Sequence, residues 1–129
     1  MTIMPTEEQK QITLIEWASY QPEIRDYLFH IPNGGSRHIL EAKKLKKMGT
    51  KRGVPDLFLA IPTKCSHGLF IEMKNKKGGT VSEAQLEMIK KLRSQGYDVV
   101  MPHGYDEAVR LIKCYLHEQD FMDASKGVV

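Results

Sequence analysis

The sequence predicts a single α/β domain with a central sheet flanked by helices. Three observations predict it. Apolar periodicities alternate along the chain in the order helix, strand, helix, strand, strand, helix, strand, helix. Two of those helices open with a capping-box signature, Thr6-Glu7-Glu8-Gln9 and Ser82-Glu83-Ala84-Gln85. The 129 residues are 41% hydrophobic and 27% charged, which is ordinary for a soluble domain with its own core. That core is expected over residues 6–117, leaving a tail at 119–129 without a strong pattern.

Thr6 to Ser19 reads as the first helix, with Leu14, Ile15 and Ala18 on its buried stripe. Projected backwards, the same stripe takes in Gln11 and Glu7, with Glu8 towards its edge. Tyr27 to Ile31 is a short strand, and Pro32-Asn33-Gly34-Gly35-Ser36 a tight loop. Arg37 to Met48 is a basic helix stopped at Gly49. Strands are expected at 56–61 and 68–74, joined by Pro62 to His67. After the loop Lys76-Lys77-Gly78-Gly79-Thr80, Ser82 starts a helix with Leu86, Ile89 and Leu92 inward, which Gly96 ends. Tyr97 to Met101 is a strand, and Asp106 to His117 a last helix with Ala108, Val109, Ile112 and Leu116 inward.

Composition excludes several classes. No apolar run reaches the length of a membrane span, and the N-terminus lacks the pattern of a signal peptide. Cys65 and Cys114 stand far apart with no CxxC or His/Cys spacing, so free thiols in a reducing cytoplasm are expected rather than a zinc site. No P-loop, kinase signature or Gly-x-Ser-x-Gly is present, which argues against NTP use and serine hydrolysis. The net charge of +3 hides an asymmetry. Residues 1–30 carry net −3, whereas 31–55 carry net +6 from Arg37, Lys43, Lys44, Lys46, Lys47, Lys51 and Arg52 against Glu41. That basic block runs straight into Asp56. It is either a solvated helix face or a surface for a polyanion.

The chemistry concentrates between Val54 and Lys74. Val54-Pro55-Asp56 opens one apolar run, and sixteen residues after Asp56 a second closes with Ile71-Glu72-Met73-Lys74. A hairpin of the two runs brings two carboxylates and one lysine to neighbouring strand ends. Two carboxylates can hold a divalent metal, and an ammonium beside them can orient water or steady developing charge. That set implies metal-dependent phosphodiester chemistry.

With these residues on the page, the chain resembles the VRR-NUC family of the PD-(D/E)XK nuclease superfamily. The resemblance rests on five elements in order: Glu7 with Gln11; His30-Ile31-Pro32-Asn33-Gly34-Gly35; Gly53-Val54-Pro55-Asp56; Ile71-Glu72-Met73-Lys74; and Ser82 with Gln85. It implies a restriction-endonuclease-like core, a mixed sheet between helices. It also implies small phage-type relatives that form homodimers and act on branched DNA, alongside flap-directed relatives fused to repair proteins. The expected location is the cytoplasm of a bacterial or phage-infected cell.

Each candidate has a plainer reading beside the functional one. Asp56 is a turn aspartate or a metal ligand. Glu72, inside an apolar strand, is ion-paired with Lys74 or ligates the metal. The resemblance adds the Met73 backbone carbonyl to the metal shell. Lys74 is a base for the attacking water or an electrostatic stabiliser of the phosphate. Glu7 is a first-turn residue suited to the helix dipole, or completes the shell through water, with Glu8 as the fallback. Gln85 is the third residue of a capping box, or, by the resemblance, a neighbour of the catalytic lysine. His30 is a packed strand histidine or a metal ligand. Asn33, Arg37 and His38 flank the Gly-Gly loop as phosphate contacts, with Lys43, Lys44, Lys47, Lys51 and Arg52 behind them and Lys76 and Lys77 beyond the site. The implied cofactor is Mg²⁺ or Mn²⁺, one ion or two.

The expected function is therefore a metal-dependent, structure-specific DNA endonuclease, dimeric and resolving four-way (Holliday) junctions. A flap or restriction-like nuclease shares the same site, and a non-catalytic module that binds branched DNA is the reading from another class.

Overall fold

The computed structural model describes residues 6–32, 38–75 and 80–117. The elements are α1 (Glu7–Ser19), β1 (Leu28–His30), α2 (Ile39–Lys47), β2 (Leu57–Leu59), β3 (Leu69–Ile71), α3 (Glu83–Ser94), β4 (Asp98–Val100) and α4 (Tyr105–His117). Their order is the one the periodicities predict. Both capping boxes form. Thr6 Oγ1 accepts from the Gln9 amide while Gln9 Oε1 accepts from the Thr6 amide, and Ser82 and Gln85 repeat the exchange. The helix stops also fall where glycine predicts them. At the end of α3 the Gly96 amide bonds Arg93 O and the Tyr97 amide bonds Leu92 O, with Gly96 at φ 91°. α2 closes the same way at Gly49.

The sheet is mixed, in the order β1-β2-β3-β4. β1–β2 and β2–β3 are antiparallel, and β3–β4 is parallel. The hairpin expected around Pro62–His67 is therefore present. Regular strand is shorter than the apolar runs foretell, but the ladder continues past it. The Ile31 amide bonds Asp56 O at 2.7 Å, Glu72 N bonds Val100 O at 3.0 Å, and Lys74 N bonds Pro102 O at 2.9 Å. These are the bonds that fix the backbone of the candidate site.

Register decides what each face buries. Leu28, Leu59 and Leu69 align across three strands, as do Leu57, Ile71 and Val100. They point to one face, where α1 and α4 supply Leu14, Ala18, Ala108, Leu111, Ile112 and Tyr115. Each fully buried leucine or isoleucine there is worth roughly 1.5–3 kcal/mol over an exposed one. The opposite face presents Phe29, Phe58, Phe70 and Val99. α3 covers its β3–β4 half through Ile89 and Leu92. Leu111 and Tyr115 are core positions that the helical stripe assigned to Val109 and Leu116, which are only partly buried.

α2 differs from the other helices in burying no residue at all. It begins at Ile39 behind His38, and Arg37 lies outside the described residues, as do Asn33, Lys76, Lys77 and the tail beyond His117. Cys65 and Cys114 are free thiols. Among the described residues no helix is long and apolar enough to cross a membrane.

Candidate active site

The two strand ends that carry Asp56 and Glu72 meet at one end of the two central strands, β2 and β3. The side chains form a wall of a pocket of about 480 Å³ together with Glu7, Glu8, Gln11, Ile12 and His30. Alternation from Ile71 and Met73, which enter the α1–α4 core, turns Glu72 and Lys74 to the other face. All three groups of the predicted Asp-Glu-Lys set are thus brought together, on a backbone locked by neighbouring strands.

Asp56 is oriented from β3: its Oδ2 accepts from the Met73 amide at 3.2 Å. Glu72 is only 6% exposed, and its Oε1 is buried without a hydrogen-bond partner. Its carboxyl is pushed up from 4.5 to about 8. Burial is the largest cause, followed by the Asp56 charge and a hydrogen bond with the Asp56 carboxyl; Lys74 pulls the other way, and Glu7 adds to the rise. An acid held so far from its ordinary range by burial and a neighbouring carboxylate would ionise more readily beside a cation.

Lys74 is 7% exposed and donates to Thr80 O at 3.4 Å and to Gln85 Oε1 at 3.3 Å. The same Oε1 accepts from the Ser82 amide at 3.0 Å. The two readings of Gln85 are therefore both true: it closes the capping box of α3 and it holds the lysine. Gly53 makes this possible. At φ 85° it sits against the first turn of α3, and a Cβ there would collide with the Ala84 carbonyl. The loop entering Asp56 is seated directly beside Gln85.

α1 lays its first two turns along the pocket. Glu7 is half-buried and its charge reaches Glu72, whereas Glu8 is exposed. Gln11 meets His30 Nδ1 at 3.0 Å, and the same Nδ1 lies 2.9 Å from the main-chain oxygen of Asp56. On the other side, Lys10 is buried and donates to His103 O at 3.4 Å. Adjacent residues thus tie the helix to both flanks of the sheet.

The VRR-NUC domain model matches residues 5–106 of the chain. The chain belongs to the VRR-NUC family. A solved structure described as a VRR_NUC domain protein is 32% identical and superposes with a TM-score of 0.79, over 92% of this chain and 93% of that one. No curated protein matches. The VRR-NUC assignment makes this chain a member of a nuclease family with the restriction-endonuclease-like α/β core.

The donor set of this VRR-NUC domain fits a hard divalent cation. Among the described residues no three His, Cys, Asp or Glu side chains form a ready-made metal cage. What the fold gathers is the Asp56–Glu72 pair, with Glu7 on the same pocket wall. Few protein ligands, all oxygen, suit Mg²⁺, which keeps most of its own waters. The orphaned Glu72 Oε1 supplies the observation that a ligand atom stands ready.

The predicted DNA contacts spread over a wider surface. Lys43, Lys44 and Lys47 are exposed on α2, with Lys51 and Arg52 exposed beyond it. Lys46, Lys51 and Arg52 line a second pocket with Ala42, Gly49 and Thr50. His38 is the exposed N-cap position of α2. Asn33, Arg37, Lys76 and Lys77 lie outside the described residues.

Two elements of the site were not legible as such in the sequence. The Met73 amide carries no side-chain signal, so its hold on Asp56 emerges only from strand pairing. Lys10 follows the helical spacing to Leu14, but a lysine on an apolar stripe reads as an interruption rather than as a tether.

Proposed function

We propose that this VRR-NUC domain is a metal-dependent endonuclease that hydrolyses phosphodiester bonds in branched DNA, acting as a homodimer on four-way junctions. The observation that carries the reading is the Asp56–Glu72 carboxyl pair, with Glu72 buried and its Oε1 without a hydrogen-bond partner, beside a lysine held by Gln85.

Asp56 and Glu72 would hold Mg²⁺ or Mn²⁺, with the Met73 carbonyl beside them and Glu7 acting through water. When bound, the ion supplies Lewis acidity to the phosphate and lowers the pKa of its water. The protein's own groups do the rest. The Met73 amide orients Asp56 through Oδ2, so the carboxylate is held in place by the backbone of β3. Among the described residues Lys74 spends two of its three N–H groups on Thr80 O and Gln85 Oε1, and the third would serve a phosphate oxygen in the transition state. This favours Lys74 as a stabiliser of developing charge over Lys74 as base, because its nitrogen is held as a donor. The exposed lysines of α2, with Lys51, Arg52 and His38, would grip the DNA backbone. Ile39, Leu40 and Met48, 73%, 82% and 71% exposed, support an interface between two copies.

Cleavage of end-labelled DNA by wild type and Asp56→Ala tests the reading. The panel is a four-way junction, a 5′ flap, linear duplex and single strand, each with Mg²⁺, Mn²⁺ or EDTA. Metal-dependent paired nicks in the junction, lost in the variant, are expected. Cutting of the flap alone keeps the site and removes the junction. Binding without cutting reduces the protein to a branched-DNA-binding module.

A further inference from the structure

The pocket that holds Glu72 also holds a group that this mechanism leaves unused. His30 lines the pocket with Asp56, Glu72 and Glu7. Among the described residues its ring is tied through Nδ1. Nδ1 lies 2.9 Å from the main-chain oxygen of Asp56, and only a ring N–H makes that approach favourable. That oxygen has two lone pairs; the Ile31 amide takes one at 2.7 Å and His30 takes the other. Gln11 Nε2 stands 3.0 Å from the same Nδ1; turning that amide over, which exchanges its nitrogen and oxygen, places an acceptor there, and the single N–H is then shared between Asp56 O and Gln11. The alternative, a bare Nδ1 accepting from Gln11, sets two lone pairs against each other at Asp56. A neutral histidine that gives its proton to one side is left with a bare nitrogen on the other. Among the described residues no hydrogen bond engages Nε2.

We propose that His30 is a water-orienting acceptor of the active-site pocket. Asp56 O fixes it as the Nδ1–H tautomer, and Nε2 receives a hydrogen bond from a water poised beside the carboxyl pair. The inference rests on the nuclease reading of the same pocket. It gives the backbone of Asp56 a second function: one residue presents its carboxylate to the site and, through its carbonyl, selects the tautomer of the neighbouring ring. It also explains Gln11. Placed one helical turn after Glu7, it reaches the ring from α1 and sets the ring's rotation, so helix and strand jointly aim Nε2.

The test separates the two ring nitrogens. In His30→Asn the amide replaces Nδ1–H and preserves the bond to Asp56 O, but nothing stands at Nε2. In His30→Gln the longer side chain puts its amide oxygen near Nε2. Long-range ¹H–¹⁵N correlation on histidine-labelled protein, above the ordinary histidine titration range and without metal, reads the tautomer directly. The His30→Asn spectrum identifies the resonance among the five histidines. The expected spectrum is a protonated Nδ1 and a bare Nε2, the less common form in water. His30→Asn is expected to melt like wild type and to lose about 10²-fold in kcat at unchanged KM. His30→Gln is expected to recover part of that loss. An Nε2–H spectrum, or a His30→Asn enzyme that cuts as fast as wild type, overturns the inference alone. A wild-type protein that cuts nothing overturns the nuclease reading and the inference with it.

Discussion

Asp56 and Glu72 meet carboxyl to carboxyl at adjacent strand ends, and burial first, then this contact, pushes the Glu72 carboxyl up to about 8. In the unfolded chain the same group loses its proton near 4.5. Between those values the folded protein holds a proton that the unfolded one has released, so metal-free stability falls as pH rises through that window. Thermal melts in EDTA should show this decline for wild type and a flatter profile for Glu72→Gln, whose amide cannot ionise. Mg²⁺ should raise the melting temperature most at the alkaline end, where no proton must be displaced. Parallel profiles for the two proteins would remove the buried acid from the explanation.

Gln85 serves α3 and Lys74 with one oxygen, and paired variants separate the two services. Ser82→Ala removes a cap and should cost about 1 kcal/mol while sparing activity. Gln85→Ala should cost a similar amount and also slow cleavage about tenfold or more, because Lys74 loses its fixed acceptor. Equal rates for the two variants, measured under single-turnover conditions, would show that the contact with Lys74 is incidental.

Gly53 is confined twice, by its positive φ and by the Ala84 carbonyl. Gly53→Ala should destabilise the fold by roughly 1–3 kcal/mol and depress activity together, since the loop that shifts carries Asp56 on one side and abuts Gln85 on the other. Chemical denaturation alongside a cleavage assay checks both halves. Wild-type stability in the variant would mean that α3 yields easily at its first turn.

Replacing Lys43, Lys44 and Lys47 by glutamine should weaken DNA binding without moving the melting temperature, because α2 buries none of its residues. Binding titrations at several salt concentrations should lose about 0.9 in the log–log slope for each phosphate contact removed. An unchanged slope would return α2 to the status of a solvated helix.

Much of this was written in the residues. Element order, the two capping boxes and both glycine helix stops follow from local rules, and local rules are what a sequence displays. Asp56, Glu72 and Lys74 stood out because charge at the ends of apolar runs is costly unless used. Glu7 against Glu8 was open on spacing alone. In the structure Glu7 is the half-buried one, and its charge reaches Glu72. His30 reads as a packed strand residue or a metal ligand, because its partners, Asp56 O and Gln11, lie 26 and 19 positions away. The core positions Leu111 and Tyr115 were missed because a stripe drawn on one helix cannot show which of its edges the sheet will cover.

The capping box of α3 has a thermal consequence. Helix termini open before helix centres, and the first turn of α3 begins directly after a loop. When that turn frays, Gln85 leaves and Lys74 loses an acceptor while the leucine layers beneath remain closed. The grip on the lysine should therefore soften on warming before the core does, and the catalytic optimum should lie below the temperature at which the protein melts.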